Sequence, residues 1–412
     1  EKNNFFDYKI YERESEPGGL CRSIYQDNFT FDYTGHLLHI NNDYFKSLID
    51  KICSLDQFEK IIRKSFIFSS QTYTPYPFQI NLYGLPIDTI IDCITGFVER
   101  KKEQQKPDNF YQWVLQNFGK GMAKHFFFPY QKKLLCYEPK KISTSWMGRF
   151  VPKTSLKQIL KGSLAPPDKT VGYNSSFNYP KHGGINTWTQ ALAKKIKNTI
   201  QTNKTVKSVD IKNKLIIFSD GQTEKFDKLI CTMPLNNLLK SLKEPTNSNL
   251  KDCSKKLLCN SVIDINLGIN KPNVYLKHWV YFPEKQFPFY RVGFYNNFSP
   301  NMAPKNQSAL YAEIAYLKNL KSKPKLINQA IEQICKVFKF DQSDIATKNI
   351  IDIKNGYVIY DMWREKNLKK IHKKLSDFSI YSTGRYGSWK YSSMQEAILD
   401  GKEIAEKIIS WN

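Results

Sequence analysis

The residues that could do chemistry begin with an acidic residue at a strand end near the start of the chain. Residues 8–11 are rich in β-forming side chains and end at Glu12, and Pro17, Gly18 and Gly19 then signal a turn. In a dinucleotide-binding βαβ unit the second strand ends in Asp or Glu, whose carboxylate binds the ribose hydroxyls of the adenosine half. Glu12 is therefore a candidate nucleotide-binding residue.

The glycine-rich phosphate loop of such a unit lies about 20 residues before the acidic residue. Counted back from Glu12, that position falls before residue 1, and residue 1 is Glu rather than Met. We therefore expect the N-terminal strand, the glycine-rich loop and most of one helix to lie outside this chain.

Histidine and cysteine usage argues against a metal centre. His36 and His39 could form a ligand pair, but no third or fourth ligand is near in the sequence. The eight cysteines are scattered without a Cys-x-x-Cys pair, which is typical of reduced thiols rather than of structural zinc or a disulfide framework. We expect no metal, and we expect a cytoplasmic location.

The net charge of +24 favours anionic partners, namely nucleic acid, anionic lipid or a phosphorylated small molecule. The lysines are spread along the whole chain and form no single basic arm, so we expect no nucleic acid. A solvated lysine-rich surface is one explanation, and a functional basic surface with peripheral membrane contact is the other. No apolar run approaches the roughly 18 residues of a transmembrane helix.

The hydrophobic pattern predicts elements of both kinds. Helices are predicted over residues 42–65, 86–118, 183–196, 324–338 and 392–411. Strands are predicted at 206–210, 214–218 and 228–232, and residues 261–316 are strand-like. Gly401 lies inside the last helix, where it costs about 1 kcal/mol relative to alanine and suggests close approach of backbone or cofactor. The alternation at both ends of the chain predicts an α/β fold with a discontinuous cofactor domain.

Two distant segments resemble the amine oxidase superfamily of flavoproteins, which includes protoporphyrinogen oxidase and UDP-galactopyranose mutase. The first is Glu12 followed by Gly18-Gly19-Leu20-Cys21-Arg22, and the second runs from Tyr381 through Gly384-Arg385 to Met394. A helix N-terminus in the second segment suits phosphate or flavin carbonyls, because its N–H groups favour negative charge. The resemblance implies noncovalent FAD, contacted by Glu12, Gly18, Gly19, Leu20, Arg22, Val206, Gly384, Arg385 and Met394.

The resemblance also implies a domain organisation. A Rossmann-like FAD-binding domain, lacking its first strand and glycine-rich loop, is expected from residues 1–70, 180–255 and 350–412. A helical insert is expected over 86–170. An antiparallel-sheet substrate domain is expected from 71–85 and 256–349.

The middle of the chain looks like the UDP-galactopyranose mutases, especially their eukaryotic branch. The matching stretches are residues 34–39, 75–81, 118–121, 128–130, 146–149, 179–184, 279–284 and 288–291. The resemblance implies that Phe78 and Gln79 hold uracil, that Arg149 and Arg291 bind the diphosphate, that Tyr281 and Tyr391 bind phosphate oxygens, and that His36 lies against the flavin. His36, Arg291 and Tyr391 are the predicted catalytic residues. Planar guanidinium groups suit phosphate because they donate two hydrogen bonds at once.

Other interpretations of these residues stay open. The arginines could be exposed cation–π partners, His36 a structural residue beside the flavin, and Tyr281 part of a sheet core. The chain also departs from the mutases at 392–397, where they carry an Asn-Gln-Asp-His-like stretch, and at 356–361, where the eukaryotic enzymes have prolines.

Three functions remain after this comparison. The first is an FAD-dependent oxidoreductase that removes a hydride from its substrate, which we expect to be a nucleotide-sugar or a related phosphorylated small molecule. The second is a redox-neutral sugar mutase, in which N5 of the reduced flavin acts as a nucleophile and UDP is the leaving group. The third, a non-catalytic basic binding protein, is supported by charge alone.

Overall fold

A computed structural model describes residues 5–101, 106–147, 151–166, 175–243, 249–317 and 320–410. The helices of these residues, numbered in chain order, are α1 (Asp43–Cys53), α2 (Ile87–Val98), α3 (Phe110–Met122), α4 (Phe128–Leu135), α5 (Leu156–Leu164), α6 (Asn186–Lys195), α7 (Leu235–Ser241), α8 (Leu250–Cys253), α9 (Lys323–Phe338), α10 (Met362–Asp377), α11 (Gly384–Gly387) and α12 (Met394–Ile409). Within these ranges, none of the helices is both long and apolar enough to cross a bilayer.

The strands of the same residues are β1 (Ile10–Tyr11), β2 (Ser23–Gln26), β3 (Phe29–Asp32), β4 (Phe58–Ile62), β5 (Ser65–Ser69), β6 (Thr72–Pro75), β7 (Ser176–Pro180), β8 (Ile200–Gln201), β9 (Val206–Asp210), β10 (Leu215–Phe218), β11 (Thr223–Lys225), β12 (Leu229–Cys231), β13 (Leu242–Lys243), β14 (Ser261–Ile269), β15 (Trp279–Tyr281), β16 (Arg291–Phe294), β17 (Ser308–Tyr316), β18 (Ile345–Ile353) and β19 (Ile380–Ser382).

A seven-stranded sheet in the order β18-β14-β17-β16-β15-β5-β6 forms the centre of the molecule. Its neighbouring strands are antiparallel, except that β15 and β5 run parallel. Side chains alternate between the two faces of each strand. One face carries Ile263, Val292 and Ala312 and packs against Ile334 and Phe338 of α9. The opposite face carries polar side chains, including Asp264, Arg291 and Glu313.

The remaining strands build smaller sheets, of which β2-β3 and β4-β7 are two-stranded. β1 pairs in parallel with β8, and β12 pairs in parallel with β19. A four-stranded sheet has the order β11-β10-β9-β13, and it contains the strands predicted at 206–210 and 214–218. The molecule is therefore a mixed α/β fold, as its pattern predicts.

The helices between β6 and β7 pack closely because glycines line their crossing. Gly119 has φ of +78° inside α3, and a Cβ there would lie 1.8 Å from the carbonyl oxygen of Gly96 in α2. A larger side chain would push the two helices apart. A π-helical turn over Ala123–Phe127 then joins α3 to α4.

Two predicted helices are shorter than expected. The helix predicted over 42–65 ends at Cys53, because Ser54 takes φ of +55° and the chain continues into β4. The helix predicted over 86–118 is two helices, and Asn109 caps the second by accepting a hydrogen bond from the N–H of Gln112. Short capping side chains compete with helix continuation at such points.

The central sheet also reaches beyond its predicted boundaries. β5 belongs to it, although residues 1–70 were expected in the cofactor domain, and β18 continues to Ile353, past the expected limit at 349. Pairing with β15 and β14 decides both memberships, and pairing partners are distant in sequence.

Candidate functional site

The polar face of the central sheet carries a row of side chains that spans four strands. Strand register places Tyr281 opposite Arg291, Arg291 opposite Glu313, and Glu313 opposite Asp264. Directly opposed residues lie on the same face of a sheet, so these side chains are neighbours. The row contains one guanidinium group and two carboxyl groups.

Arg291 and Glu313 form a buried ion pair. The Nη2 of Arg291 donates to Oε1 of Glu313 at 2.7 Å, and its Nε donates to Oε2. Burial acts to lower the pKa of Arg291, but the adjacent carboxylate of Glu313 outweighs it and holds that pKa well above its usual range. Arg291 is therefore a permanently charged group whose fork is already engaged by Glu313.

Asp264 supports the loop that carries His36. Its Oδ2 accepts a hydrogen bond from the N–H of Thr34 at 2.9 Å. Burial, followed by the charge of Glu313, raises the pKa of Asp264 well above its usual range, which favours the protonated form. The next residue of the loop packs tightly against the sheet, since a Cβ on Gly35 would lie 2.1 Å from the hydroxyl of Tyr311.

His36 is held as a neutral imidazole. Burial lowers its pKa to about 4, and the positive charges of Arg385 and Arg291 act in the same direction. Its Nδ1 is buried and has no hydrogen-bond partner among the described residues. The ring is thus available for one hydrogen bond to a bound group, and it stays uncharged near neutral pH.

The C-terminal motif meets His36 from the other end of the chain. Gly384 opens α11 with φ of +76°, and Arg385 follows it. The guanidinium carbon of Arg385 lies 5.0 Å from the ring centroid of Tyr391 and 5.9 Å from that of Tyr357. The two tyrosine rings stack with centroids 6.3 Å apart. Residues predicted from separate motifs therefore converge on one cluster.

Further tyrosines surround this cluster. The ring of Tyr281 lies 5.2 Å from that of Tyr76 and 5.5 Å from that of Tyr130. Burial raises the pKa of Tyr76, Tyr130 and Tyr357 above the usual range. Their hydroxyls remain protonated and can donate hydrogen bonds to anionic oxygens. We call Arg291, Arg385, Tyr76, Tyr130, Tyr281, Tyr357 and Tyr391 the arginine–tyrosine cluster.

The predicted adenosine-side residues lie beside one another at the end of β1. The N–H of Glu12 donates to the carbonyl of Gln201 at 2.8 Å, and its own carbonyl accepts from the N–H of Lys204 at 2.8 Å. Val206 begins β9 two residues after Lys204. The Oε1 of Glu12 also accepts a hydrogen bond from the N–H of Glu14 at 2.9 Å, which orients the carboxylate.

The paired glycines form a turn stabilised by Arg22. Gly18 and Gly19 have φ of +127° and +58°, and the Nε of Arg22 donates to the carbonyl of Gly19 at 2.9 Å. Leu20 is half-buried beside them. Met394 is the first residue of α12 and lies in the same hydrophobic cluster as Cys21, which brings the turn and the C-terminal helix together.

The residues present fit a flavin nucleotide. Gly19 and Gly384 both have positive φ, and no atom lies within 4 Å of a Cβ built on either one. Open space beside two such glycines is what a cofactor passing close to the backbone requires. The unpaired Nδ1 of His36 adds a polar atom without a partner in the described chain.

The side chains of Phe78 and Gln79, predicted to hold uracil, are both buried. Phe78 is fully buried, with its ring stacked on that of Phe126 at 4.9 Å. Gln79 is buried, and its Nε2 donates to the carbonyl of Pro152 at 2.8 Å. Within the described residues, neither side chain presents an exposed surface to a base. Arg149 lies outside the described residues.

Gly401 does not mark a close approach by another part of the chain. No atom lies within 4 Å of a Cβ built at this position of α12. The expectation of nearby backbone at Gly401 is therefore wrong, because this face of the helix borders open space.

The sequence pattern did not identify Glu313, Asp264, Tyr76, Tyr130 and Tyr357 as site residues. Glu313 is the single acidic residue of a strand that, apart from Ser308, is otherwise apolar or aromatic, and such a residue is seldom buried unless it is paired. That pattern could have identified it as the partner of a basic group. The tyrosines gave no comparable signal, since an aromatic strand residue is most often core.

A second polar network holds α6 against the hairpin of β2 and β3. The Oδ1 of Asp32 accepts hydrogen bonds from the Ser23 hydroxyl at 2.6 Å and from the N–H of Ile185 at 3.1 Å. Its Oδ2 accepts from the Tyr179 hydroxyl. Burial raises the pKa of Asp32 to about 6, while these hydrogen bonds oppose the rise. This carboxyl group fixes the turn that precedes α6.

Known proteins share the fold of this chain. A crystal structure of reduced UDP-galactopyranose mutase is 26% identical and has a TM-score of 0.93, covering 100% of this chain and 92% of that one. A putative protoporphyrinogen oxidase from Exiguobacterium sp. 255-15 is 13% identical with a TM-score of 0.74, covering 98% of this chain and 93% of that one. A putrescine oxidase double mutant is 14% identical with a TM-score of 0.65 at the same coverages, so these two show the shared fold. Residues 1–409 match the family of flavin-containing amine oxidoreductases, and the chain therefore belongs to that family.

Proposed function

We propose that this protein is a flavoenzyme that acts on a UDP-sugar as a redox-neutral mutase. The family implies a flavin cofactor and a small-molecule substrate. The observation that carries the finer proposal is agreement with a UDP-galactopyranose mutase over the whole chain at a TM-score of 0.93, against 0.74 and 0.65 for the two oxidases.

FAD would be held, without a covalent bond, by residues from both ends of the chain. Glu12 and Val206 suit the adenosine half, and Gly19 and Gly384 border open space suited to a diphosphate and flavin, next to Gly18 and Arg385. The N-terminus of α12 adds a positive dipole end. When bound and reduced, the flavin supplies an electron-rich ring nitrogen able to react at a sugar carbon.

The chain's own residues would bind the leaving diphosphate. Arg291 and Arg385 contribute two positive charges, of which one is balanced by Glu313. Neutral tyrosine hydroxyls of the arginine–tyrosine cluster can donate hydrogen bonds to phosphate oxygens. Fixed donors in a buried site stabilise a developing anion more strongly than water does. A neutral His36 avoids a third positive charge beside the cofactor, and its Nδ1 can hydrogen-bond to it.

An oxidoreductase acting on a related phosphorylated substrate is the second candidate. Family membership favours it, and the fold is shared with a putrescine oxidase. In that case the same tyrosines and arginines would orient a substrate that loses a hydride to the flavin.

Anaerobic turnover distinguishes the two functions. The protein is supplied with excess FAD, reduced with dithionite, and given UDP-galactofuranose without an electron acceptor. We expect conversion to UDP-galactopyranose, measured by chromatography, and no conversion with oxidised FAD as the control. Absence of conversion, together with reduction of oxidised FAD by an amine or alcohol, would contradict the mutase proposal.

A further inference from the structure

Large hydrophobic side chains are concentrated on one exposed part of the helical region. Of the sixteen exposed large hydrophobic residues in the described chain, seven lie between residues 83 and 164. We call these the α2–α5 face: Tyr83, Ile87, Ile91, Val98, Leu156, Leu160 and Leu164. Single exposed hydrophobic residues are ordinary on protein surfaces, but a contiguous patch marks an interaction site.

The helical repeat aligns these residues into two rows. Ile87, Ile91 and Val98 recur at spacings of four and seven along α2. Leu156, Leu160 and Leu164 recur every four residues along α5. Residues at such spacings lie on one side of a helix. The helices that carry the two rows are neighbours, because α2 packs against α5 and the N–H of Tyr83 donates to the carbonyl of Gly162 at 2.8 Å.

The fold does not need these rows for its own core. α2 turns Cys93, Gly96 and Phe97 inward, and α5 buries Ile159 and Gly162. Ile87 and Leu164 are 75% and 79% exposed. Both helices therefore carry a second apolar side that no described residue of the chain covers.

Charge decides which occupant suits the face. Lys153, Lys157 and Lys161 accompany the leucine row, and residues 86–170 contain fifteen Lys and Arg against seven Asp and Glu. Asp92, on α2, is already paired with Lys124 and His125 at 2.8 Å. A second copy would bring two positive surfaces together, whereas an anionic lipid surface would attract them.

We propose that the α2–α5 face docks on an anionic lipid bilayer. The isoleucine and leucine rows would enter the boundary between headgroups and acyl chains, and the lysines would contact lipid phosphates. Helices that lie in the plane of a membrane use this combination of apolar row and basic flank. The contact is peripheral and leaves the arginine–tyrosine cluster to act on a water-soluble substrate.

Vesicle sedimentation tests the proposal with the intact chain. At physiological salt the protein should bind vesicles of phosphatidylcholine mixed with phosphatidylserine, and not vesicles of phosphatidylcholine alone. The double variant Leu160→Asp/Leu164→Asp should bind about tenfold more weakly or worse, because two apolar side chains that the bilayer would bury are replaced by anions. The variant Lys153→Gln/Lys157→Gln should also weaken binding and reduce its dependence on salt.

Matched controls separate this surface from the rest of the molecule. Leu276→Asp, at a position 64% exposed outside the face, and Lys369→Gln/Lys370→Gln on α10 should leave binding unchanged. Circular dichroism melts confirm that each variant is folded. Failure to bind anionic vesicles overturns the proposal, as does binding that survives the leucine substitutions. A dimer in solution that the leucine substitutions dissociate also overturns it, since a second copy would then cover the face.

Discussion

At the scale of single residues, Glu313 determines what Arg291 can do. The family resemblance predicts that Arg291 binds phosphate, but in the structure its Nε and Nη2 donate to this buried carboxylate. A positive charge at this depth would be costly without a partner. The pair therefore holds a charged group at the base of the site, and Arg385, whose Nη1 donates to the carbonyl of Ser392, is the second arginine there.

Substitution of Glu313 measures how far Arg291 depends on it. Glu313→Gln should lower the free energy of unfolding by about 3 kcal/mol, because it leaves a buried guanidinium without its countercharge. Denaturant unfolding provides the measurement. The exposed Glu332→Gln on α9 is the control and should stay within about 0.5 kcal/mol of the original protein. An equal, small loss in both variants would contradict a stabilising role for the pair.

Arg385 offers the corresponding test of ligand binding. Arg385→Lys keeps the charge but removes the planar fork, so the Kd for UDP should rise about tenfold or more. Isothermal titration calorimetry measures it directly. Arg100→Lys, at the end of α2, is the matched control and should bind UDP normally. Unchanged affinity in Arg385→Lys would remove this residue from the proposed diphosphate site.

At the scale of elements, the Asp32 network shows how a buried carboxyl joins pieces that are distant in sequence. The carboxyl oxygens of Asp32 accept hydrogen bonds from the hydroxyl of Ser23 in β2, the hydroxyl of Tyr179 in β7 and the N–H of Ile185 before α6. Gly184 packs tightly against this network, since a Cβ there would lie 2.8 Å from Oδ1 of Asp32. The elements around the predicted cofactor turn therefore depend on one side chain.

The pKa of Asp32 predicts a pH dependence for this network. Burial raises it from 3.8 to about 6, so the folded protein binds an extra proton in this range. Its stabilising contribution is complete below pH about 4 and is lost as the pH rises through about 6. The difference in unfolding free energy between the original protein and Asp32→Asn should fall by about 3 kcal/mol across that window.

The difference between the original protein and Asp32→Asn cancels the contributions of other titrating groups to the free energy of unfolding. One such group is His36, whose pKa is lowered by burial, so that its contribution changes with pH in the opposite sense. Urea unfolding at a series of pH values gives the two curves. Asp88→Asn, at an exposed position on α2, should run parallel to the original protein. Parallel curves for Asp32→Asn as well would show that Asp32 does not titrate in this window.

At the scale of the whole molecule, the predicted cofactor contacts couple the two ends of the chain. Gly19 and Gly384 are 365 positions apart, yet the residues after each meet around Cys21, His36 and Arg385. A ligand held by both segments binds only the folded chain. Such a ligand stabilises the protein by mass action.

FAD should therefore raise the stability of the entire protein. At a hundredfold excess over its Kd, FAD should add about 2.7 kcal/mol to the free energy of unfolding. Thermal unfolding followed by near-UV circular dichroism measures the shift. Riboflavin lacks the diphosphate and adenosine, so it should give a smaller shift at the same concentration. Equal shifts from the two ligands would contradict the roles of Glu12 and Val206.

The sequence alone determined the class of the fold, most of its helices and strands, and the family. Those conclusions rest on local patterns, such as the strand-end Glu12 with its paired glycines and the Gly384-Arg385 motif. Such patterns can be read from neighbouring residues because turns and strand ends depend on the local backbone. Only the tertiary structure decided which side chains meet. It paired Arg291 with Glu313, placed Phe78 in a core, and brought β5 and β18 into the central sheet. These outcomes depend on strand register and long-range packing, and a shift of one residue in register would place each side chain on the opposite face.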